Sequence, residues 1–388
     1  MVEWKKIGDI AKCYAGATPS TKNASYWEDG IIPWMSSGEV HQGIVTHTAT
    51  YITQLGYDNS STKMIPKGSI VIALAGQGKT RGSVAITDIE LCTNQSLCGI
   101  VLDKSDIINK YVYYFLGTRY NHLRKISSGE GTRGGLNLKM ISEYEIPIPA
   151  ISEQVRIVGI LDTFTSSIDN LKQQIAQRRK QYEYYRDQLL DLEGKEGVEK
   201  KTLGEIGEFI RGNGIQKSDF VEEGFSCIHY GQIHARYGFS AKETISKIEE
   251  SLYKRCKKAK KGDVVLATTS EDAEGVAKPF VWLGEDDAAV SGDAFIYHHN
   301  QIGKFMGHQF LTHKFMQFKV KYATGAKVVR ISGDNMAKYE VALPSIEEQS
   351  RIVSILDIFE ASIANLEAQL SQREKQYEYY RNKLLTFE

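Results

Sequence analysis

The stretch Ala73–Thr80, ALAGQGKT, is the strongest enzyme-like signal in the sequence, because it fits a permissive form of the phosphate-binding loop pattern. Such a loop must open a helix whose N-terminal amides face the phosphate. The residues that follow, RGSVAIT, are rich in β-branched side chains and are typical of a strand. We therefore interpret Lys79 and Arg81 as basic residues on a glycine-rich β-turn. A P-loop NTPase stays an alternative that nucleotide binding would test.

Other catalytic signatures are absent from the sequence or incomplete. Glu3-Trp4-Lys5 and Glu199-Lys200-Lys201 spell the acidic-X-lysine group of a nuclease site, but neither has an acidic strand residue at the proper place upstream. No FxGxG loop, (D/N)PP(Y/F) motif, GxSxG or HExxH occurs. The five cysteines form no CxxC pair. We therefore predict a chain with no catalytic residues, no metal site and no directly bound cofactor.

Two stretches combine an aromatic, basic helical sequence with a glycine-rich loop. They are Asn109–Ile126, followed by SSGEGTRGGLNLK, and Phe305–Tyr322, followed by ATGAKVVRISGDN. Glycine lets a backbone approach a phosphate closely, and arginine can read guanine with two hydrogen bonds in the major groove. The pattern is typical of a nucleic-acid surface. A core helix with a solvated loop would have the same sequence pattern, so that interpretation stays open.

A formal net charge of zero, from 48 basic and 48 acidic residues, restricts any DNA surface to local patches. The stretch YKRCKKAKKGD (Tyr253–Asp263) is a further basic cluster that could follow phosphates, although such runs are often solvated faces. The candidate DNA-binding residues are Lys79, Arg81, Arg124, Arg133, Lys254, Arg255, Lys327 and Arg330.

A tandem duplication sets the places of these stretches in the chain. The letters KQYEYYR occur at 180–186 and again at 375–381, and residues 152–193 align with 347–388 without a gap, with 26 of 42 positions identical. Residues 4–16 resemble residues 200–212 more weakly. We predict an α+β chain with mixed α/β heads at 1–150 and 199–345. Each head is followed by a nearly identical helical segment, at 151–198 and 346–388.

The repeated segments are predicted to be long helices. Apolar residues recur at steps of three and four over five heptads, from Ile157 to Leu192 and from Ile352 to Phe387, which is typical of a coiled coil. Two equivalent helices in one chain pack most simply antiparallel, about a pseudo-two-fold axis. Arg178 and Arg373 interrupt the apolar pattern, either to set the register or to contact a partner. The candidate residues of the helix seam or of partner docking are Phe164, Arg178, Tyr182, Tyr185, Phe359, Arg373, Tyr377 and Tyr380.

The order variable–helix–variable–helix resembles the specificity subunit of type I restriction–modification systems. The resemblance covers the whole chain, and IPIPAISEQVRIVGILD and VALPSIEEQSRIVSILD, which lead into the two helices, are its most specific part. One departure is Ala342 at the position of Pro147, which predicts a slightly different junction in the second half.

This resemblance implies that each head is a target-recognition domain reading one half of a bipartite site in double-stranded DNA. It also implies that the helices form an antiparallel spacer that docks two methyltransferase (M) subunits, on which S-adenosylmethionine would bind. Motor-nuclease (R) subunits would join the full complex.

A coiled-coil adaptor whose two variable heads bind proteins is the alternative, since zero net charge and 21 tyrosines suit protein contacts. No run of 18 apolar residues occurs, and MVEWKKIGDI at the N-terminus has no apolar signal segment. An odd number of cysteines favours free thiols in a reducing compartment. We therefore expect a cytoplasmic chain with no membrane partner.

Overall fold

The computed structural model describes residues 2–76, 79–127, 135–325 and 328–387. The chain divides into two compact units, residues 1–171 with 369–388 and residues 172–368. Each unit contains one of the two heads, the nearer part of the helix that follows that head in sequence and a part of the other long helix. Mixed sheets and helices make the chain α+β, as the sequence predicts.

The first head is built mainly on a five-stranded and a three-stranded sheet. Its strands are β1 (Glu3–Lys6), β2 (Ala11–Ala15), β3 (Ile32–Met35), β4 (Ile44–Val45), β5 (Thr50–Ile52), β6 (Ile70–Ala73), β7 (Val84–Thr87), β8 (Cys92–Thr93), β9 (Leu97–Leu102) and β10 (Glu145–Ile148). The sheet orders are β2-β9-β6-β7-β4 and β5-β3-β8. All four residues of β6 are buried, because this strand is central and covered on both faces.

Short helices cover the sheets of the first head. They are α1 (Ile7–Ile10), α2 (Gln54–Asp58), α3 (Asn109–Thr118), α4 (Tyr120–Ile126) and α5 (Leu138–Ser142), with 3₁₀ turns at Ala24–Tyr26 and Ser37–Gln42. The stretch expected to be one aromatic helix is thus two helices, which meet at Arg119. Strand β1 pairs with β10, so the ends of the head lie together directly before the long helix α6 (Ile151–Leu190).

The second head repeats this plan with more strands. They are β11 (Glu199–Thr202), β12 (Gly207–Arg211), β13 (Phe220–Val221), β14 (Phe225–Ile228), β15 (Ser240–Ala241), β16 (Ser246–Ile248), β17 (Lys258–Ala259), β18 (Val264–Ala267), β19 (Thr269–Ser270), β20 (Lys278–Trp282), β21 (Ala288–Val290), β22 (Ala294–His299), β23 (Val329–Arg330) and β24 (Glu340–Leu343). They form sheets in the orders β12-β22-β18-β20-β15 and β13-β16-β14-β21-β17, and the two-stranded pairs β19-β23 and β11-β24.

The helices of the second head are α7 (Leu203–Ile206), α8 (Tyr230–Ala235), α9 (Glu250–Tyr253), α10 (Gly303–Gln309), α11 (His313–Tyr322) and α12 (Gly333–Met336), with a 3₁₀ turn at Lys217–Asp219, and the long helix α13 (Ile346–Leu384) follows them. The second aromatic stretch is also two helices, because the Thr312 hydroxyl accepts from the amide of Phe315 and begins a new helix, α11. Lys200 lies opposite Ala342 as Trp4 lies opposite Pro147, so the two junctions have the same register and the expected difference is not seen.

The two long helices have the contact order of an antiparallel pair. In the first unit, Phe164 in the first half of α6 meets Tyr377 near the end of α13. In the second unit, Tyr185 near the end of α6 meets Phe359 in the first half of α13. The antiparallel packing expected from the repeat is therefore present in each unit.

Candidate nucleic-acid interface and helix seam

The chain between β6 and β7, residues 74–83, joins two antiparallel strands and is called the first turn here. Lys79 and Thr80 lie in a turn that the strand β7 follows, so they do not open a helix as a phosphate-binding loop requires. Glu3 pairs with Lys5 at 3.2 Å and Glu199 with Lys201 at 2.5 Å, each along one exposed strand. The two enzyme-like patterns are thus a hairpin turn and strand ion pairs.

Three of the candidate DNA-binding residues come together at the first turn. The hydroxyl of Tyr120 donates to the carbonyl of Lys79 over 2.8 Å, and Arg124 Nη1 donates to the carbonyl of Arg81 over 3.4 Å. The Arg124 guanidinium also lies 5.5 Å from the centre of the Tyr120 ring. Helix α4 therefore holds the turn by its backbone and places Lys79, Arg81 and Arg124 in one cluster.

The exposure of these cations differs, and one expectation needs correction. Lys79 is exposed and Arg124 is half-buried, but Arg81 is only 5% exposed. Arg81 thus does not present its side chain at the surface, because the turn folds down onto α4 at this residue. Arg133 lies outside the described residues. Directly beyond that gap, the amide of Leu136 donates to the carbonyl of Leu74 over 2.8 Å and joins the chain there to the turn.

The second head has an equivalent turn between β18 and β20, residues 268–277, called the second turn here. Strand β19 at its beginning pairs with β23, which places Arg330 directly opposite Thr269. The Arg330 side chain is exposed, as a DNA contact must be. Lys327 lies outside the described residues. Strand β23 thus forms one surface with the second turn.

Lys319 is a functional candidate that the sequence reasoning missed. Its side chain lies on the apolar face of α11 and is 3% exposed, and its ammonium donates to the carbonyls of Glu274 at 2.5 Å and Val276 at 2.8 Å. Burial lowers the pKa of Lys319 to about 8. The available signal was its spacing, four residues after Phe315 and three before Tyr322, which puts a lysine in an aromatic stripe.

Lys254 and Arg255 lie just beyond α9 and are exposed. Lys254 forms an ion pair with Glu250 at 2.8 Å, and Arg255 Nε donates to the carbonyl of Ser251 over 3.2 Å. Arg255 also borders an open polar groove beside Gln216 and Asp219. These contacts are with residues of α9 and the adjoining groove and involve neither Arg330 nor the second turn.

The helix seam brings six of the predicted aromatic residues into two equivalent groups. In the first unit, Phe164 lies 6.4 Å from Tyr377 and 5.4 Å from Tyr380 between ring centres. In the second unit, the corresponding distances from Phe359 are 6.5 Å to Tyr182 and 5.5 Å to Tyr185. Offset and tilted aromatic contacts of this kind add to the free energy of burial.

Two arginines also lie on the helix seam, and two further tyrosines of the same helices are exposed. The Arg373 guanidinium lies 5.7 Å from the centre of the Phe164 ring, and Arg178 is half-buried on α6. Tyr184 and Tyr379, one residue before the predicted Tyr185 and Tyr380, are 62% and 59% exposed. The heptad pattern assigns Tyr184 and Tyr379 to no seam position, so spacing alone does not mark them as candidates.

A partly buried polar cluster adjoins the seam of the second unit. The Glu360 carboxylate accepts from the Tyr182 hydroxyl over 3.4 Å and lies 3.8 Å from the Lys304 ammonium. Burial raises the pKa of Glu360 to about 7. Tyr182 also contacts His308 Nδ1 at 3.2 Å, and burial lowers the pKa of His308 to about 3. The first copy has Thr165 at the position of Glu360, so this cluster distinguishes the two otherwise similar helices.

Across the described ranges, no helix combines the length and apolar character needed to cross a membrane. The same residues contain no group of three or more His, Cys, Asp or Glu side chains arranged to hold a metal ion.

Comparison with known proteins finds similarity in both halves of the chain. A family model described as the type I restriction modification DNA specificity domain matches residues 1–178 and 195–374. The specificity subunit of the type I restriction enzyme EcoR124I/EcoR124II of Escherichia coli is 38% identical over 204 residues. That match covers 51% of this chain and half of that protein. A putative type I restriction enzyme specificity subunit of Haemophilus influenzae, S.HindORF215P, is 26% identical over 414 residues and matches 100% of this chain and 96% of its own length.

Solved structures show the same fold. The S subunit of a type I restriction–modification system from M. genitalium superposes with a TM-score of 0.58 at 16% identity, over 100% of this chain and 97% of that one. A chain from a study of complex assembly and conformational transition of the type I R-M system gives a TM-score of 0.62, also at 16% identity, over 99% and 96%.

Proposed function

The chain belongs to the type I restriction–modification DNA specificity family, and we propose that it is the non-catalytic DNA-recognition subunit of such a system. The observation that carries the proposal is that the family model matches twice, at 1–178 and 195–374. Each match contains one head and most of the helical segment after it. A duplicated recognition module suits a DNA target made of two separate parts.

We infer that each head reads one half of a bipartite target in double-stranded DNA. The support is chemical, since each head carries an exposed cation at its turn, Lys79 in the first and Arg330 in the second. Phosphate contacts by such cations position a protein, and an arginine that reaches a base edge specifies sequence. The two turns differ in sequence, GQGKTRG against SEDAEGVA, so we propose that the two half-sites differ.

The helices are proposed to dock two methyltransferase (M) subunits, one on each copy of the repeated surface. Tyr184 and Tyr379 support this, because they are equivalent, aromatic and exposed, and aromatic residues dominate the energetics of protein interfaces. In this proposal S-adenosylmethionine binds the M subunits, which carry the methylation, and motor-nuclease (R) subunits join for cleavage. The system acts in the cytoplasm, where the DNA is.

The proposal is tested by selecting duplexes from a randomised pool with the chain and its M subunits, and then titrating the binding constant of a selected duplex with salt. Binding through phosphates releases counterions, so the logarithm of the affinity should fall by about 0.9 for each phosphate contact per tenfold increase in salt. We expect a slope that corresponds to several phosphates, and a large loss of affinity when either selected half is scrambled.

The rival function, an adaptor whose heads bind proteins, gives a different result in the same experiment. Selection would return no common sequence, and scrambling either half of a duplex would leave its affinity unchanged. Lys79→Ala provides a second check, because a nucleotide site would need this lysine. In the proposed function Lys79→Ala weakens DNA binding and leaves nucleotide binding undetectable, as in the wild type.

A further inference from the structure

The two turns share one feature of backbone conformation near their ends although their sequences differ. Gly82 and Ala277 stand at equivalent places, because each donates its amide to the last residue of the preceding strand, Ala73 or Ala267. Both have positive φ, 84° and 56°. A non-glycine residue is strained in this region, so the second head keeps Ala277 there at a cost of about 1 kcal/mol. The surrounding structure must therefore hold the turn in place.

The side chains that hold the two turns are also equivalent. Arg124 donates to the carbonyl of Arg81, directly before Gly82. Lys319 donates to the carbonyl of Val276, directly before Ala277. Each cation comes from the last part of the head's aromatic stretch and reaches the same point of the turn. Two heads with little common sequence thus use one device.

The stability of the second head does not explain why a charged side chain occupies position 319. Its ammonium is buried and forms no ion pair with a described carboxylate, although Asp272 and Glu274 of the second turn face it and attract it from a distance. Burial of an unpaired charge costs free energy, and an apolar side chain would suit this face of α11 better. The Lys319 ammonium contacts two backbone carbonyls of the second turn, so its role is to hold that turn in place.

The restrained turns lie where the exposed cations of each head are. Lys79 is part of the first turn, and Arg330 lies opposite Thr269 in the ladder that joins the second turn to the chain after α11. A surface that is fixed before DNA binds avoids the loss of conformational entropy that ordering would require.

On the basis of the proposed DNA-recognition function, we propose that Lys319 in the second head, and Arg124 with Tyr120 in the first, are positioning residues for sequence recognition. Each side chain holds the described part of the turn of its own head, so that Lys79 in the first head and Arg330 in the second stand on a backbone that is in place before DNA binds.

The experiment uses the full chain in complex with its M subunits, on its selected duplex and on duplexes with one base changed in either half. Lys319→Met keeps the length of the side chain and removes the donor. We expect its discrimination to fall about tenfold in one half-site and to stay unchanged in the other. Tyr120→Phe, which removes the hydroxyl bond to the carbonyl of Lys79, should reduce discrimination several-fold in the opposite half-site.

Two further readouts separate positioning from a loss of folding or of charge. Lys321→Met removes an exposed lysine two residues further along α11 and should alter affinity for all duplexes equally or not at all. In the wild type, discrimination in the half-site that Lys319→Met affects should fall between pH 7 and 9, because the uncharged amine is a weaker donor. Lys319→Met should remove this pH dependence, and its melting temperature should stay within a few degrees of that of the wild type.

The possible failures are distinguishable. If the wild type selects no bipartite duplex, the proposed function fails before any variant is compared. If the wild type discriminates in both halves and Lys319→Met retains that discrimination, or loses it equally in both, the positioning role is refuted. Should Lys319→Met fail to fold, Tyr120→Phe decides alone, and unchanged discrimination in that variant overturns the inference.

Discussion

We predict that Glu360→Gln makes the second unit more resistant to unfolding than the wild type at neutral and mildly alkaline pH. This advantage over the wild type should shrink as the pH is lowered to 5. The Glu360 side chain is 25% exposed, and burial of the remainder is the largest cause of its raised pKa, about 7 in the folded chain. The charged groups around it are Lys304 at 3.8 Å, which opposes this rise, and Asp357, which adds to it. The hydroxyl of Tyr182 donates to its carboxylate.

The magnitude follows from the two pKa values. In the unfolded chain the carboxyl titrates at its usual value near 4.5. Protonated Glu360 therefore contributes stability that is fully present below pH 4.5 and is lost as the pH rises towards 7. One pKa unit corresponds to about 1.4 kcal/mol, so we expect the wild type to lose about 2 kcal/mol of unfolding free energy between pH 5 and pH 8 relative to Glu360→Gln.

The assay is urea denaturation at pH 5, 6, 7 and 8, followed by fluorescence and by hydrogen exchange of α13. Trp282, which is 1% exposed, is the only one of the four tryptophans within residues 172–368 and reports on the second unit. Glu367→Gln is the matched control, since Glu367 lies on the same helix and is largely exposed. Equal pH dependence in Glu360→Gln and the wild type would refute the reasoning.

Three further predictions concern the turn, the docking surface and the DNA contact. Gly82→Ala, at a φ of 84°, should lower the unfolding free energy of the first unit by about 1 kcal/mol. Gly117→Ala in α3, where a Cβ would meet open space, should raise that free energy by about 0.5 kcal/mol. Urea denaturation measures both changes, and equal effects of the two substitutions would contradict the strain at Gly82. Tyr184→Ala and Tyr379→Ala together should weaken capture of M subunits at least tenfold in a pull-down without lowering the melting temperature, and undiminished capture would remove them from the interface. Arg330→Ala should relax recognition in one half-site by about 1–3 kcal/mol in a competition assay, and a uniform loss over all duplexes would indicate a phosphate contact instead.

The repeat and the helix seam could be predicted from the sequence because they depend on local periodicity. Heptad spacing alone placed six aromatic residues on the helix seam, whereas the structure shows which of them meet: Phe164 with Tyr377 and Tyr380, and Phe359 with Tyr182 and Tyr185. The rejection of a phosphate-binding loop also needed only the strand propensity of the residues after Thr80. Such features are set by neighbours within one element, so one sequence is sufficient to derive them.

The burial of the turn cations could not be predicted in this way. Whether Arg81 points outwards depends on how α4, about 40 residues later, packs beneath the turn, and sequence spacing contains no such contact. Lys319 was missed for the same reason, because its ammonium donates to backbone carbonyls of a turn that is distant in sequence. The breaks within the two aromatic stretches were missed because neither stretch contains a proline, and Gly117 and Gly307 lie within α3 and α10 rather than just beyond their ends.

The most direct test of the central claim is to map DNA methylation in cells that express the chain together with its M subunit. The proposed function predicts modified bases within two short, different tracts separated by a gap of constant length and variable sequence. Replacement of residues 199–345 with the corresponding head of a related subunit should change one tract only. A single uninterrupted motif, or a change in both tracts after that replacement, would contradict the claim that each head reads its own half of the target.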